Sequence, residues 1–194
     1  MKKNHWLGIL VLTFALLISA CQGTGKHLVM TAWPKYIPVQ MPATSLIGIH
    51  APAPESCQVR AVSLIGAWVD AGTPEKDAFP FTDINGKSCL GTFDADVLNL
   101  FTQANLWYAG APSCRTCHGP DISISYARMD LSSYQGILAG SARESADSKG
   151  NDILGGGNWE QAELYTVLTK GEMPPNRPAT VNPEGPLIYA GIAQ

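Results

Sequence analysis

Apolar positions along the chain fall into blocks of different period, and each block predicts a different element. Residues 94–103 (DADVLNLFTQ) set Val97, Leu98, Leu100 and Phe101 at helical spacing, which predicts a helix with one buried face. Ser132 or Ser133 can cap a second helix running to about Leu138, with Gly140 past its end. Asn158 and Gln161 have the spacing of a capping box for a third helix over 159–170, whose buried face is Leu164, Val167 and Leu168. The block 59–72 reads two ways. As a helix it carries Trp68 and ends at Ala71-Gly72; as a strand, its odd positions from Val59 to Val69 are mostly apolar. The tail over 178–194 holds Pro178, Pro183, Pro186, Gly185 and Gly191, which argues against a long helix there.

The N-terminal block has no amphipathic period. Lys2 and Lys3 precede an unbroken, mostly apolar run over 6–18, too short to span ~30 Å of hydrocarbon as a helix. A positive start followed by a short apolar run reads as a signal peptide. The run closes Ile18-Ser19-Ala20-Cys21, which resembles the lipobox of bacterial lipoproteins. The resemblance implies a signal peptide over 1–20, cleavage after Ala20, diacylglyceryl on the Cys21 sulfur and acylation of the new amine. Several acyl chains hold a protein on a bilayer where one would not. The alternatives are a secreted protein cut nearby with Cys21 free, and an uncleaved helical anchor. Residues 21–56 then form a lipid-anchored extended arm, interrupted by Pro34, Pro38, Pro42, Pro52 and Pro54. Its Leu28, Val29, Met30, Trp33, Tyr36, Ile37, Leu46, Ile47 and Ile49 make it more apolar than a free tether. Such a segment is expected to lie on neighbouring subunits or on its own domain. Residues 57–194 remain as one domain.

Composition narrows the class. The 194 residues carry few charges (15%), with 19 Gly and 14 Pro, so long loops and extended segments are expected between the helices. The formal net charge is −3, and no basic run is interleaved with aromatics, which excludes nucleic acid as the expected partner.

The segment Ser113-Cys114-Arg115-Thr116-Cys117-His118-Gly119 contains Cys-x-x-Cys-His, the c-type haem attachment signature. Residues three apart lie on one face of a helical turn. Both thiols can then add to the two vinyl groups of a porphyrin, and the adjacent His118 can reach its iron. Rival readings are half a zinc site, for which the other cysteines are badly spaced, and a thioredoxin-type pair, for which no βαβ pattern is present. The expected cofactor is one covalent haem c, held by Cys114, Cys117, His118 and a sixth ligand.

For that ligand, Met173 in Lys170-Gly171-Glu172-Met173-Pro174-Pro175 is the candidate. A glycine at a helix end and two prolines can hold a thioether rigidly in an extended loop. Met129, close behind His118, is the rival. The metal ligands are thus expected to be His118 and Met173. Of the other histidines, His5 lies in the signal peptide, and His27 and His50 in the arm.

The cysteine count then closes. Cys21 takes lipid, Cys114 and Cys117 take haem, and Cys57 and Cys89 are left as a pair in an oxidising compartment, where a disulfide is expected. Two buried free thiols are the alternative.

The haem motif with the later Met173-Pro174 resembles class I cytochromes c over roughly residues 93–178. The resemblance implies an all-α, cytochrome c-like helical domain wrapped around one haem. Members usually close with a helix after the methionine, which this tail cannot supply. The block 59–72 looks like that closing helix displaced upstream, so a circularly permuted domain is expected. The lipobox cysteine, the Pro-rich arm, Phe101-Thr102-Gln103 with Trp107-Tyr108, and Met173-Pro174-Pro175 resemble the mono-haem cytochrome c subunit of bacterial alternative complex III, a quinol-oxidising membrane complex. This implies single-electron transfer without substrate chemistry of its own, inside a respiratory or photosynthetic oxidoreductase complex. It also implies partners that include multi-haem, iron–sulfur and integral membrane subunits, a soluble electron acceptor, and a location on the extracytoplasmic, periplasmic face of the cell membrane. The alternatives are a solitary lipoprotein carrier feeding a terminal oxidase, and a haem-based sensor or peroxidase, which needs an open iron position. Trp107, Tyr108, Tyr126 and Trp159 are candidates to line the haem pocket, or simply to pack the core.

Overall fold

The computed structural model describes residues 55–194. The expected signal peptide over 1–20, the expected lipidation at Cys21 and the expected arm as far as residue 54 lie outside the described residues. Within them, no helix is long and apolar enough to cross a membrane.

The chain enters as strand β1 (Cys57–Arg60) and turns directly into helix α1 (Ala61–Asp70). The helix reading of the 59–72 block therefore holds from Ala61 to Asp70, and only Val59 and Arg60 of it are strand. The alternating stretch ends at Arg60, and from Ala61 onward the apolar residues fill a helix face, burying Val62, Leu64, Ile65, Trp68 and Val69. Strands β2 (Phe79–Thr82) and β3 (Ser88–Gly91) form an antiparallel hairpin. Its turn is built on Asp83, whose carboxylate accepts from the amides of Asn85 and Lys87, each at 2.8 Å. A five-residue π-helical turn (Phe93–Val97) runs on into α2 (Leu98–Thr102), with Val97, Leu100 and Phe101 buried. The haem-motif turn α3 (Cys114–Cys117), α4 (Tyr134–Ala139) and α5 (Glu163–Thr169) follow, joined by long loops and single 3₁₀ turns.

The tail does not return as a helix. Strand β4 (Leu187–Ala190) pairs antiparallel with β1, Cys57 facing Ala190, and β5 (Ile192–Ala193) adds to β3. Asp96 ties the tail to the π-helical turn by accepting from the Gly191 amide at 2.7 Å, while its other oxygen takes the Thr92 amide. The Cys57–Cys89 disulfide, Cα atoms 6.5 Å apart, links β1 to β3 and so joins the two sheets.

These sheets correct the expectation of an all-α, permuted cytochrome-like domain: the described residues form a mixed fold, five short helices with two antiparallel sheets. The prolines and glycines that keep the tail from being helical leave it extended, and β1 and β3 supply the partners for its backbone groups. Helix α1 packs on the π-helical turn, the Trp68 and Phe93 ring centroids lying 5.0 Å apart. It does so as one layer of a mixed core, with the hairpin residues Phe79 and Phe81 buried in the same cluster.

A second correction concerns the third helix. Asn158 makes no side-chain cap, and residues 159–161 form a separate 3₁₀ turn. Ala162 is extended (ψ 140°), and α5 begins only at Glu163. Trp159 is turned down onto α1, so close that a Cβ on Gly66 would lie 2.4 Å from its ring. That packing takes precedence over a continuous helix. Ser133, by contrast, caps α4 by accepting from the Gly136 amide at 3.1 Å, and Gly140 follows at φ +78°.

Candidate functional site

The approach to the Cys-x-x-Cys-His turn is braced on α2. The buried Trp107 indole donates to the Leu100 carbonyl at 2.8 Å, and the Ala111 amide returns to the Tyr108 carbonyl at 3.0 Å. Ser113 is extended, and its hydroxyl lies 2.8 Å from that of Thr116, closing the turn on which Cys114 and Cys117 sit. Cys114 is partly buried against the core, its sulfur 3.8 Å from the Leu100 carbonyl oxygen, and burial pushes its pKa up to about 11.

His118 is 6% exposed, and its backbone is fixed on both sides. Its amide donates to the Cys114 carbonyl at 2.9 Å, and its carbonyl accepts from Leu131 at 2.8 Å. The ring Nδ1 lies 2.8 Å from the Tyr126 carbonyl oxygen. A carbonyl only accepts, so Nδ1 carries the hydrogen; in the neutral ring Nε2 keeps its lone pair for a metal. The loop that presents this carbonyl has two successive left-handed residues, Ala127 (φ 54°) and Arg128 (φ 47°). It is pinned from outside by the Ala142 and Arg143 amides, which donate to the Ala127 and Arg128 carbonyls at 2.7 and 3.2 Å.

Met173 arrives from the other end of the domain. Helix α5 stops at Gly171 (φ +74°), and the amides of Gly171, Glu172 and Met173 fold back onto the carbonyls of Leu168 and Val167 at 3.0–3.2 Å. Arg177 reaches under the loop to donate to the same Leu168 carbonyl at 2.6 Å. The Tyr108 hydroxyl donates to the Pro175 carbonyl.

Cys114, Cys117, His118 and Met173 line one cavity of about 340 Å³. Its walls include Phe101, Leu131, Ile153, Leu164, Val167 and Leu168, with Glu163 the one carboxylate on the lining. Met129 lines it as well, so both methionines weighed from the sequence face the same space. Tyr126 lines it; Trp107 and Trp159 pack into the core, and Tyr108 serves the methionine loop. His27 and His50 lie outside the described residues.

Two thiols on one turn, an imidazole with a free Nε2, thioether sulfurs and apolar walls are a donor set that fits haem c. They do not fit zinc, which wants four N, S or O donors grouped tightly. Among the described residues the one tight group has only three donors, Cys57, Asp83 and Cys89. There the two sulfurs are bonded to each other and Asp83 Oδ1 is engaged by the turn amides, so the group offers no thiolate to a metal.

The sequence reading missed the backbone of Tyr126 as the partner of His118, and a carbonyl leaves no trace in residue identity. It also missed how Tyr108 acts, although the residue itself stood out. No family model matches the chain, and no curated protein matches it in sequence.

Proposed function

We propose that this chain holds one covalently attached haem c and passes single electrons at a membrane surface. The observation that carries the reading is the convergence on one apolar cavity of Cys114, Cys117, His118 and Met173, which come from two distant parts of the chain. Bound haem would supply a one-electron iron couple. The residues would do the rest. Cys114 and Cys117 would close two thioether bonds, and His118 would ligate through Nε2 while its Nδ1–H stays on Tyr126. Met173 would give a second protein ligand, a thioether that raises the reduction potential relative to a second imidazole. The apolar walls would exclude water and keep the ligand set unchanged between oxidation states. A site in which the chain itself would supply both His118 and Met173 as ligands supports electron transfer over peroxidase or gas-sensing chemistry.

The lipobox-like Cys21 supports anchoring on the extracytoplasmic face of the cell membrane, and the apolar, Pro-rich arm supports assembly with membrane-complex subunits such as multi-haem and iron–sulfur proteins. A solitary carrier to a terminal oxidase is the alternative. Expression with a cytochrome c maturation system, followed by a pyridine haemochrome spectrum, tests the cofactor. Both vinyl groups should register as saturated; a haem that extracts into acid acetone would sink the reading. Purification from native membranes then separates the two settings, since a complex subunit co-migrates with its haem and iron–sulfur partners and a solitary carrier does not.

A further inference from the structure

Tyr108 stands out because it joins two segments that otherwise share no hydrogen bond. Its hydroxyl donates to the Pro175 carbonyl, 67 positions away. Among the described residues no other hydrogen bond links the stretch leading into the Cys-x-x-Cys turn with the loop carrying Met173. The donor is well placed to act as a fixed post. Trp107 beside it is buried and bonded to the Leu100 carbonyl, and the Tyr108 carbonyl is held by the Ala111 amide. The loop is otherwise attached only through its own neighbours: its first three amides hang on the end of α5, and Arg177 reaches back to Leu168. Met173 itself is 39% exposed, on a bend at the cavity wall.

We propose that Tyr108 is a positioning residue, a latch whose hydroxyl holds the methionine loop against the segment that carries the cysteines. This rests on the haem reading for its consequence, because a latched loop keeps the Met173 sulfur available as ligand and keeps competing ligands out. Its geometric part stands without the haem. The latch explains why a tyrosine rather than a phenylalanine follows Trp107: the ring could pack either way, but only the hydroxyl reaches Pro175.

The test compares Tyr108→Phe with wild type and with Tyr134→Phe, which removes a hydroxyl bonded to the Thr73 carbonyl at 2.7 Å elsewhere in the core. In the haem-loaded ferric proteins, imidazole is titrated against the optical spectrum. Wild type and Tyr134→Phe should bind it equally, and Tyr108→Phe several-fold more tightly, up to about tenfold for one hydrogen bond lost. In the haem-free proteins, hydrogen exchange at the Glu172 and Met173 amides should be several-fold faster in Tyr108→Phe alone. Unchanged imidazole affinity with unchanged exchange overturns the latch, as does an equal effect from Tyr134→Phe. If wild type takes up no covalent haem, the haem reading fails by itself and the exchange experiment still decides the latch.

Discussion

His118 and Tyr126 are joined by a 2.8 Å hydrogen bond from the imidazole Nδ1–H to the backbone carbonyl. That contact fixes the tautomer, aims Nε2 away from the loop, and makes the ring a better donor to a metal. It depends on a backbone shape that is costly for ordinary residues, with Ala127 and Arg128 both at positive φ. The shape is maintained from outside by the amides of Ala142 and Arg143. The imidazole is thus oriented by main-chain groups: its Nδ1–H by the Tyr126 carbonyl, its own amide by Cys114 and its own carbonyl by Leu131.

Two methionines line the cavity, so substitution distinguishes them. Met173→Ala is expected to abolish the methionine-type optical bands of the oxidised protein, lower the reduction potential and open the iron to added imidazole. Met129→Ala should leave those bands in place and cost at most about 2 kcal/mol in stability, the low end for such truncations, because the side chain is only partly buried on the cavity wall. Optical spectra, redox titration and urea unfolding of the two variants check this. The reverse pattern would make Met129 the ligand.

How far the sequence could be read follows from which forces were local. Val97, Leu100 and Phe101 became a buried helix face because a helical period needs no partner to be recognised. Ser133 became a cap for the same reason. The Cys-x-x-Cys-His turn was legible because its chemistry resides in side chains three and four positions apart. The strands were not legible. Cys57–Arg60 and Leu187–Ala190 are four-residue segments from opposite ends of the domain, and neither is stable without the other. The capping box at Asn158 and Gln161 misled, since Trp159 packs against Gly66 in a separate 3₁₀ turn and the extended Ala162 breaks the chain before α5.

The disulfide spans a sequence separation of 32 and connects the two sheets. Chain-entropy reasoning puts its contribution at about 3–4 kcal/mol for a loop of that length. A Cys57→Ala/Cys89→Ala variant should therefore unfold at markedly lower urea than wild type while keeping its haem content, because the thioether bonds do not depend on this bridge. Equal unfolding midpoints would show that the sheets hold together without it.

Asp83 gives an acid-side prediction. Amides donated by Lys87 and Asn85 hold its carboxyl below the usual carboxylate range, the Lys87 contact acting most strongly. A carboxyl with a lowered native pKa contributes stability above its unfolded value, near 3.8, and loses it as pH falls through the native value. Wild type should be more stable than Asp83→Asn at pH 5, and the gap should close on acidification below pH 4. Thermal melts of both proteins across that range measure it; a gap that does not vary with pH would mean the charge of Asp83 contributes nothing to the turn.

Cys114 gives the opposite dependence, and only while its thiol is free. Burial raises its native pKa from 9.0 to about 11, so between those values the folded state retains a proton that the unfolded chain has released. Stability then falls as pH rises from 9 toward 11. At pH 10.5 the loss is roughly 2 kcal/mol, taking 1.36 kcal/mol per pKa unit. A haem-free protein should show this loss relative to Cys114→Ala, whose other titrating groups are the same, when urea unfolding at pH 8 and 10.5 is compared. The haem-loaded protein should not show it, because sulfur in a thioether has no proton to release. If the alkaline loss were the same with and without haem, Cys114 would not be a point of attachment, and the haem reading would lose one of its two anchors.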